Sequence, residues 1–248
     1  LAAAPKSNPV HPLSRTLPAR QRLAPDSRVP THSHGKPYAA ILLEGSYREF
    51  GDGGRHHALP GHVSVHSPFT AHANVVGPNG ATIINIPLSI AACFRMQSRV
   101  VADPTILLPS IQDPDFDLLQ FLETCPASPR LEDVPDLLAR ELDSPGELHL
   151  EQWAMDHAIT PRSLRRHFAS AMGVSPSEYR WRAKSRGAWR DIVSTASSLA
   201  SISADWGFAD QAHLTRSVRK LTGDTPRAWR TLLSLSVGFK TTGKLQTT

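Results

Sequence analysis

The sequence predicts an α+β chain in which a small N-terminal β-barrel precedes an all-α domain with two helix-turn-helix units. Three observations carry that expectation. Short apolar runs alternate with turn residues from about His32 to Leu88, the pattern of a small antiparallel sheet or barrel. From Glu147 onward the apolar residues recur at helical spacing, as amphipathic helices require. The helical part also repeats itself, since Leu164, Arg166, Gly173, Pro176 and Arg180 recur 50 positions later as Leu214, Arg216, Gly223, Pro226 and Arg230. Self-similarity at a fixed offset marks a duplicated structural unit.

Taken in order, residues 1–30 carry many prolines and the basic side chains Lys6, Arg15, Arg20, Arg22 and Arg28, with few large apolar ones. They read as an irregular basic arm. Residues 31–102 are the expected barrel. Tyr38 to Tyr47, His62 to His66 and Ala81 to Leu88 supply its strands, and Gly51-Asp52-Gly53-Gly54, Pro60-Gly61 and Gly77-Pro78-Asn79-Gly80 its breaks. Residues 103–146 turn acidic. Leu118, Leu119, Phe121 and Leu122, then Leu137, Leu138 and Leu142, outline two short amphipathic helices there. They either cover the barrel or pair with a second subunit. Residues 147–232 form the helical domain, and the tail 233–248 is expected to fray.

Charge is divided unevenly along the chain. The 248 residues carry a net charge of +5, but Glu147 to Thr248 hold 15 Lys/Arg against 8 Asp/Glu, whereas residues 1–146 hold 12 against 14. A basic half is what a domain needs in order to neutralise phosphates. No apolar run is long enough to span a bilayer, and the first residues lack a continuous hydrophobic segment. A cytoplasmic location with no membrane partner is therefore expected. Cys93 and Cys125 stand alone and far apart, which indicates neither a disulfide framework nor a cysteine zinc site.

Each copy of the repeat reads as a short helix, a tight turn and a well-capped second helix. Thr160 before Pro161, and Asp210 in the second copy, are the N-cap candidates. Leu164 with Phe168, and Leu214 with Val218, are four apart and make the inward stripes. Gly173 and Gly223 suit C-caps. Leu150, Trp153, Ala154 and Ile159 in one copy, and Leu199, Ile202, Trp206 and Phe208 in the other, supply the supporting cores. The opposite faces carry Arg162, Arg165 and Arg166 in the first unit, and Gln211, His213, Thr215 and Arg216 in the second. Arginine and glutamine make paired hydrogen bonds to guanine and adenine edges in the major groove, which points these faces at double-stranded DNA. A helix predicted from Glu178 to Ser194, about 25 Å long at 1.5 Å per residue, separates the units. It suits groove segments about one turn (~34 Å) apart. Arg180, Arg182, Lys184, Arg186 and Arg190 on or near it are candidates for phosphate contacts, which position without specifying.

These residues resemble the AraC-type family of bacterial transcription regulators. The resemblance spans about Leu148 to Arg230, and its signature reads ISADWGFADQAHLTRSVRKLTGDTPRAWR from Ile202 to Arg230. It implies seven helices, two helix-turn-helix units on one long helix, and recognition residues at the positions named above. Ser203 stands where the family usually has Ala, Val218 where Phe is usual and Ser185 where an apolar residue is common. Each change is expected to loosen packing by on the order of 1 kcal/mol or more.

The N-terminal half is similar to cupin-type sensor domains, on His32-Ser-His34, Leu43-Glu-Gly45, Pro60-Gly61 and His66-Ser-Pro-Phe-Thr-Ala-His72. In cupin enzymes an H-x-H pair, a Glu and a later His bind a divalent metal. Here His32, His34 and His72 match, and Tyr38 occupies the Glu position. The alternative is that these residues, Tyr38 included, hydrogen-bond a small effector or simply stabilise the barrel mouth. No resident cofactor is expected. Three functions follow: an effector-responsive transcription regulator, with RNA polymerase and a second copy of the chain as further candidate partners; a metal-dependent cupin enzyme with a helical appendage; or a constitutive DNA-binding protein whose barrel only dimerises. The first is the leading expectation, and no nucleophilic catalytic arrangement stands out from the spacing.

Overall fold

The computed structural model describes residues 19–111, 116–129, 131–146 and 148–232. An antiparallel sheet forms the first half: β1 (Ala19–Leu23), β2 (Arg28–His32), β3 (Tyr38–Gly51), β4 (Gly54–Ala58), β5 (His62–His66), β6 (His72–Pro87) and β7 (Arg99–Val100). Its spine is the long β3–β6 pair. The main path runs β1-β6-β3-β5-β7, with β2 added to β6 and β4 to β3. Register shifts between Leu42 and Glu44 and between Gly45 and Tyr47 bend β3, so its first half pairs with β5 and its second with β4. Bulges bend a strand in this way. Gly45 sits at the bend with φ +80°, and a Cβ there would lie 1.9 Å from the Gly80 carbonyl oxygen.

Two expectations change here. The sheet is not a closed barrel, because β1 and β7 end its path without pairing to each other among the described residues. The arm predicted for residues 1–30 holds two strands, β1 and β2, both paired to β6. Their side chains are mostly exposed, so they lack the apolar alternation that marks a half-buried strand, and charges such as Arg20 and Arg22 suit an edge. The tail 233–248 lies outside the described residues.

Strand period two sends successive residues to opposite faces, and the core divides accordingly. Ala39, Ile41, Val63 and Val101 pack under α2 (Leu107–Ser110) and α3 (Leu118–Glu123), with Leu107 and Leu122 fully buried. Ala40, Leu42, Tyr47, Ala58, Val76, Ala81 and Ile83 form the other face. Of the two predicted connector helices, α3 therefore covers the sheet. The second, α4 (Val134–Asp143), belongs with the helical half, since Leu138, Ala139 and Leu142 share a core with Trp153, Leu164, Phe168 and Tyr179. Beyond α1 (Ile90–Arg95) of the sheet half, the helical half continues with α5 (Leu150–Asp156), α6 (Pro161–Met172), α7 (Pro176–Ser194), α8 (Leu199–Asp205), α9 (Gln211–Thr222) and helical residues 226–232. From α4 onward this makes seven helices among the described residues.

Candidate DNA-binding surface and effector pocket

The helix-turn-helix units are α5–α6 and α8–α9, and both second helices are capped as the sequence expects. The Thr160 hydroxyl accepts from the Ser163 N–H at 3.2 Å, and the Asp210 carboxylate accepts from the His213 N–H at 2.6 Å. Gly173 (φ 75°) and Gly223 (φ 88°) end the helices in the left-handed region. Leu164, Phe168, Leu214 and Val218 are fully buried. Opposite them Arg162, Arg165, Arg166, Gln211 and Arg216 are exposed, while His213 and Thr215 are half-buried. Arg165 also pairs with Glu151 at 2.5 Å across the unit. Thr215 donates to the Gln211 carbonyl at 2.9 Å, and the His213 ring meets Phe208 edge-on.

The turns differ by one residue. Ile159 N–H bonds to the Ala154 carbonyl and Phe208 N–H to the Ser203 carbonyl, so the first helices and turns correspond at an offset of 49, against 50 for the second helices. In that alignment the left-handed turn residue is Ala158 (φ 53°) in one unit and Gly207 (φ 62°) in the other.

The basic side chains of α7 are engaged inside the molecule. Arg180 donates to the carbonyls of Leu142 at 2.6 Å and Ser144 at 2.5 Å, and to that of Gly146. Its repeat partner Arg230 donates likewise to the carbonyls of Ile192, at 3.4 Å, and Ser197. The repeated arginines thus fasten the chain that leaves α4 and α7, where orphan helix-end carbonyls need donors. Arg182 binds Glu178 at 3.0 Å and lies 3.7 Å from Asp52, while Arg186 approaches Asp52 at 2.5 Å and Asp143 at 3.3 Å. Lys184 donates to the Gly207 carbonyl at 2.5 Å. Arg190 lies 3.9 Å from Asp191. The geometry therefore ties Arg180, Arg182, Lys184 and Arg186 to the protein itself. Sequence reasoning assigned them by charge, and charge does not reveal that Asp52, from a distant turn, is the counterpart of Arg182 and Arg186, or that backbone carbonyls engage Arg180 and Lys184.

Asp52 is one of several contacts between the halves. Burial and the nearby Asp52 charge push the Asp143 carboxyl above its usual range, with Arg186 and Tyr179 pulling it back. Tyr179 donates its hydroxyl to Asp143 at 3.1 Å and to the Asp52 carbonyl at 3.2 Å. Arg55 on β4 forks onto Asp136 of α4 at 3.1 and 2.6 Å. Phe69, at φ 62°, leaves the β5–β6 loop to pack edge-on against Trp189 and Trp229, with ring centroids 5.1 and 5.7 Å away.

On the opposite sheet face a cavity of about 240 Å³ is lined by His32, His34, Tyr38, Glu49, His66, His72 and Asn74 among others. It brings all four predicted effector residues together. The His32, His34 and His72 rings sit 4.4 to 5.5 Å apart, and the Tyr38 hydroxyl is 3.4 Å from His72 Nε2. Glu49, His66 and Asn74 escaped the sequence reading, because only register places them here: Tyr38 pairs with His66, and Glu49 with Asn74. Asn74 donates to Glu49 at 3.1 Å, and Tyr38 stacks on His66. Burial, reinforced by neighbouring imidazoles, pulls His66 and His72 down to about 3, although Glu49 pulls the other way on His72. Burial and Glu49 hold the Tyr38 phenol well above its usual range, hence neutral. A neutral phenol is a poor substitute for a metal-binding carboxylate. The His32, His34, His72 and Tyr38 set implied by the cupin resemblance therefore lacks its anionic donor, and the carboxylate in the pocket is Glu49.

Paired capped helices with arginine-bearing outer faces define a helix-turn-helix protein. Residues 153–232 match the family model described as a helix-turn-helix domain. This part of the chain is a helix-turn-helix domain. No curated protein matches the sequence. Among solved structures, the C-terminal domain of AraT, a response regulator from Geobacillus stearothermophilus, is similar at 20% identity, covering 42% of this chain and 88% of that one with a TM-score of 0.39. An AraC-type transcriptional regulator from Chromobacterium violaceum shows 22% identity over 39% of this chain and 88% of its own, with a TM-score of 0.37. ToxT from Vibrio cholerae covers 88% of this chain and 98% of its own at 8% identity and a TM-score of 0.39. Among the described residues no helix is long and apolar enough to cross a membrane.

Proposed function

We propose that this protein is an AraC-type DNA-binding transcription regulator, that it reads duplex DNA with the outer faces of α6 and α9, and that a small molecule held in the sheet pocket controls the reading. The observation that carries the proposal is the pairing of two equally capped helices that turn Arg162, Arg165 and Arg166, and Gln211, His213, Thr215 and Arg216, away from buried stripes. Arginine and glutamine at such positions suit guanine and adenine edges. The 19-residue α7, about 28 Å long at 1.5 Å per residue, supports spacing the units along the groove. Arg180, Arg182, Lys184 and Arg186 act as fasteners rather than phosphate contacts.

Effector control is supported by the position of the pocket. His72 directly follows Ala71, whose N–H bonds to Asp52 at 3.0 Å, and Asp52 is ion-paired to α7. A ligand that favours one arrangement of this link changes DNA affinity by its differential affinity for the two arrangements. RNA polymerase and a second copy of the chain are the further partners this role calls for. Selection of bound sequences from random duplexes, with and without pooled metabolites, tests both parts. A defined site whose enrichment depends on the pool is the expected result. Replacing Arg216 by Ala then costs about 1 to 3 kcal/mol at that site and relaxes one base position. Equal binding of every duplex overturns the DNA reading, and a defined site indifferent to every pool overturns effector control.

A further inference from the structure

We propose that Glu49, His66 and His72 form a binding site for a divalent transition-metal ion inside the sheet pocket, sharing His72 with the His32 and His34 pair beside it. Their donor atoms all lie within 4.8 Å of one another, and all three residues are buried. The Glu49 Oε2 to His66 Nε2 distance of 3.7 Å is too long for a hydrogen bond. It is close to the separation of two ligands across one tetrahedral ion, about 3.4 Å for bonds near 2.1 Å.

Three further features point the same way. His72 is 5% exposed, and its Nδ1 is buried with no hydrogen-bond partner, a costly state for a polar atom unless something binds it. Glu49 is likewise buried, and no Lys or Arg is among the residues lining the pocket. Among the described residues no cationic side chain therefore stands beside its carboxylate, and a dication would supply that charge. Asn74 donates to the same Glu49 Oε2 at 3.1 Å, a hydrogen bond of the kind that holds ligating carboxylates in place. Two imidazoles and one carboxylate with open remaining positions suit zinc, iron(II) or a neighbouring first-row ion.

The site has a direct route outward. His66 ends β5 and His72 begins β6, and the link between them carries Phe69 into the core of the second helix-turn-helix unit. Ligation fixes both ends of that link. This regulatory consequence, unlike the site itself, rests on the effector-controlled reading above.

The test uses the full chain, stripped with chelator and titrated with Co2+ and Zn2+. One ion per chain and visible cobalt bands of a nitrogen- and oxygen-ligated ion are expected, lost in Glu49→Gln and in His66→Gln and kept in His34→Gln. Asn74→Ala is expected to weaken binding about 10- to 100-fold. Circular dichroism of each stripped variant separates lost ligation from lost folding, and for any variant that fails to fold the Asn74→Ala shift decides. Absence of binding, or binding abolished by His34→Gln and untouched by Glu49→Gln, overturns the site. Metal bound as described with DNA affinity unchanged leaves the site standing and removes the ion as the effector.

Discussion

The first helix-turn-helix unit is closed by the acidic helix α4 and by ion pairs, whereas the second is closed by aromatic side chains from the sheet half. In the first, Leu138, Ala139 and Leu142 complete the core, and Asp52 reaches in to Arg182 and Arg186. In the second, Phe69 joins Trp189, Trp206 and Trp229, with Ile90 and Phe94 of α1 alongside. The duplicated cores also exchange bulk. Phe168 and Tyr179 of the first correspond to Val218 and Trp229 of the second. Cores tolerate such swaps when total volume is kept. The expectation that Val218 loosens its unit therefore misses Phe69 and Trp229, which fill the same core, and Val218 is fully buried. The lesson is that a duplicated fold preserves caps and stripes, while the surfaces that close each copy diverge with the partner each must meet.

Breaking the aromatic closure is expected to have the largest effect. Phe69→Ala should cost about 3 kcal/mol, as large-to-small changes of buried aromatics do. Hydrogen exchange should quicken in α8 and α9 while α5 and α6 stay protected, and uniform quickening would erase the distinction between the units. Gly187→Ala comes next, at about 2 to 3 kcal/mol. The new Cβ would lie 2.0 Å from the buried Trp206 ring, and the overpacking outweighs the roughly 1 kcal/mol gained in helix propensity. A thermal melt no lower than that of the parent would contradict this packing.

The electrostatic closure is tested by Asp52→Asn, which leaves Arg186 beside Asp143 alone and should cost about 2 kcal/mol. Here the first unit, not the second, should lose exchange protection. Two smaller substitutions make each unit resemble the other. Ser203 is 3% exposed with an unpartnered hydroxyl, and the first unit has Ala154 at that place. Ser203→Ala should stabilise by about 1 kcal/mol, since it removes an unmet buried polar group. Denaturant midpoints measure it, and a lower midpoint would mean that the hydroxyl finds a partner. Ala158→Gly gives the first turn the residue that the second already has at positive φ, and should stabilise by under about 1 kcal/mol. An unchanged or lowered melting temperature would show that the left-handed turn costs the alanine nothing.

The sequence by itself determined what depends on neighbours along the chain: the two capped recognition helices, their buried stripes, their exposed arginines and glutamine, and the long helix between them. Helical periodicity and capping are local, and duplication printed them twice, 50 residues apart. It also brought His32, His34, Tyr38 and His72 into one proposal, because an H-x-H strand and a family pattern are legible in one dimension. Only the tertiary structure decided that Glu49, His66 and Asn74 complete the pocket, since a strand register set by bulges in β3 and by pairing with β5 and β6 is not written in either strand alone. It likewise decided that Asp52 and Phe69 tie the halves together and that α4 belongs with the helices. The Asp52 and Phe69 links to the helical half join residues more than 100 positions apart, where composition and periodicity carry no information about which side chain meets which.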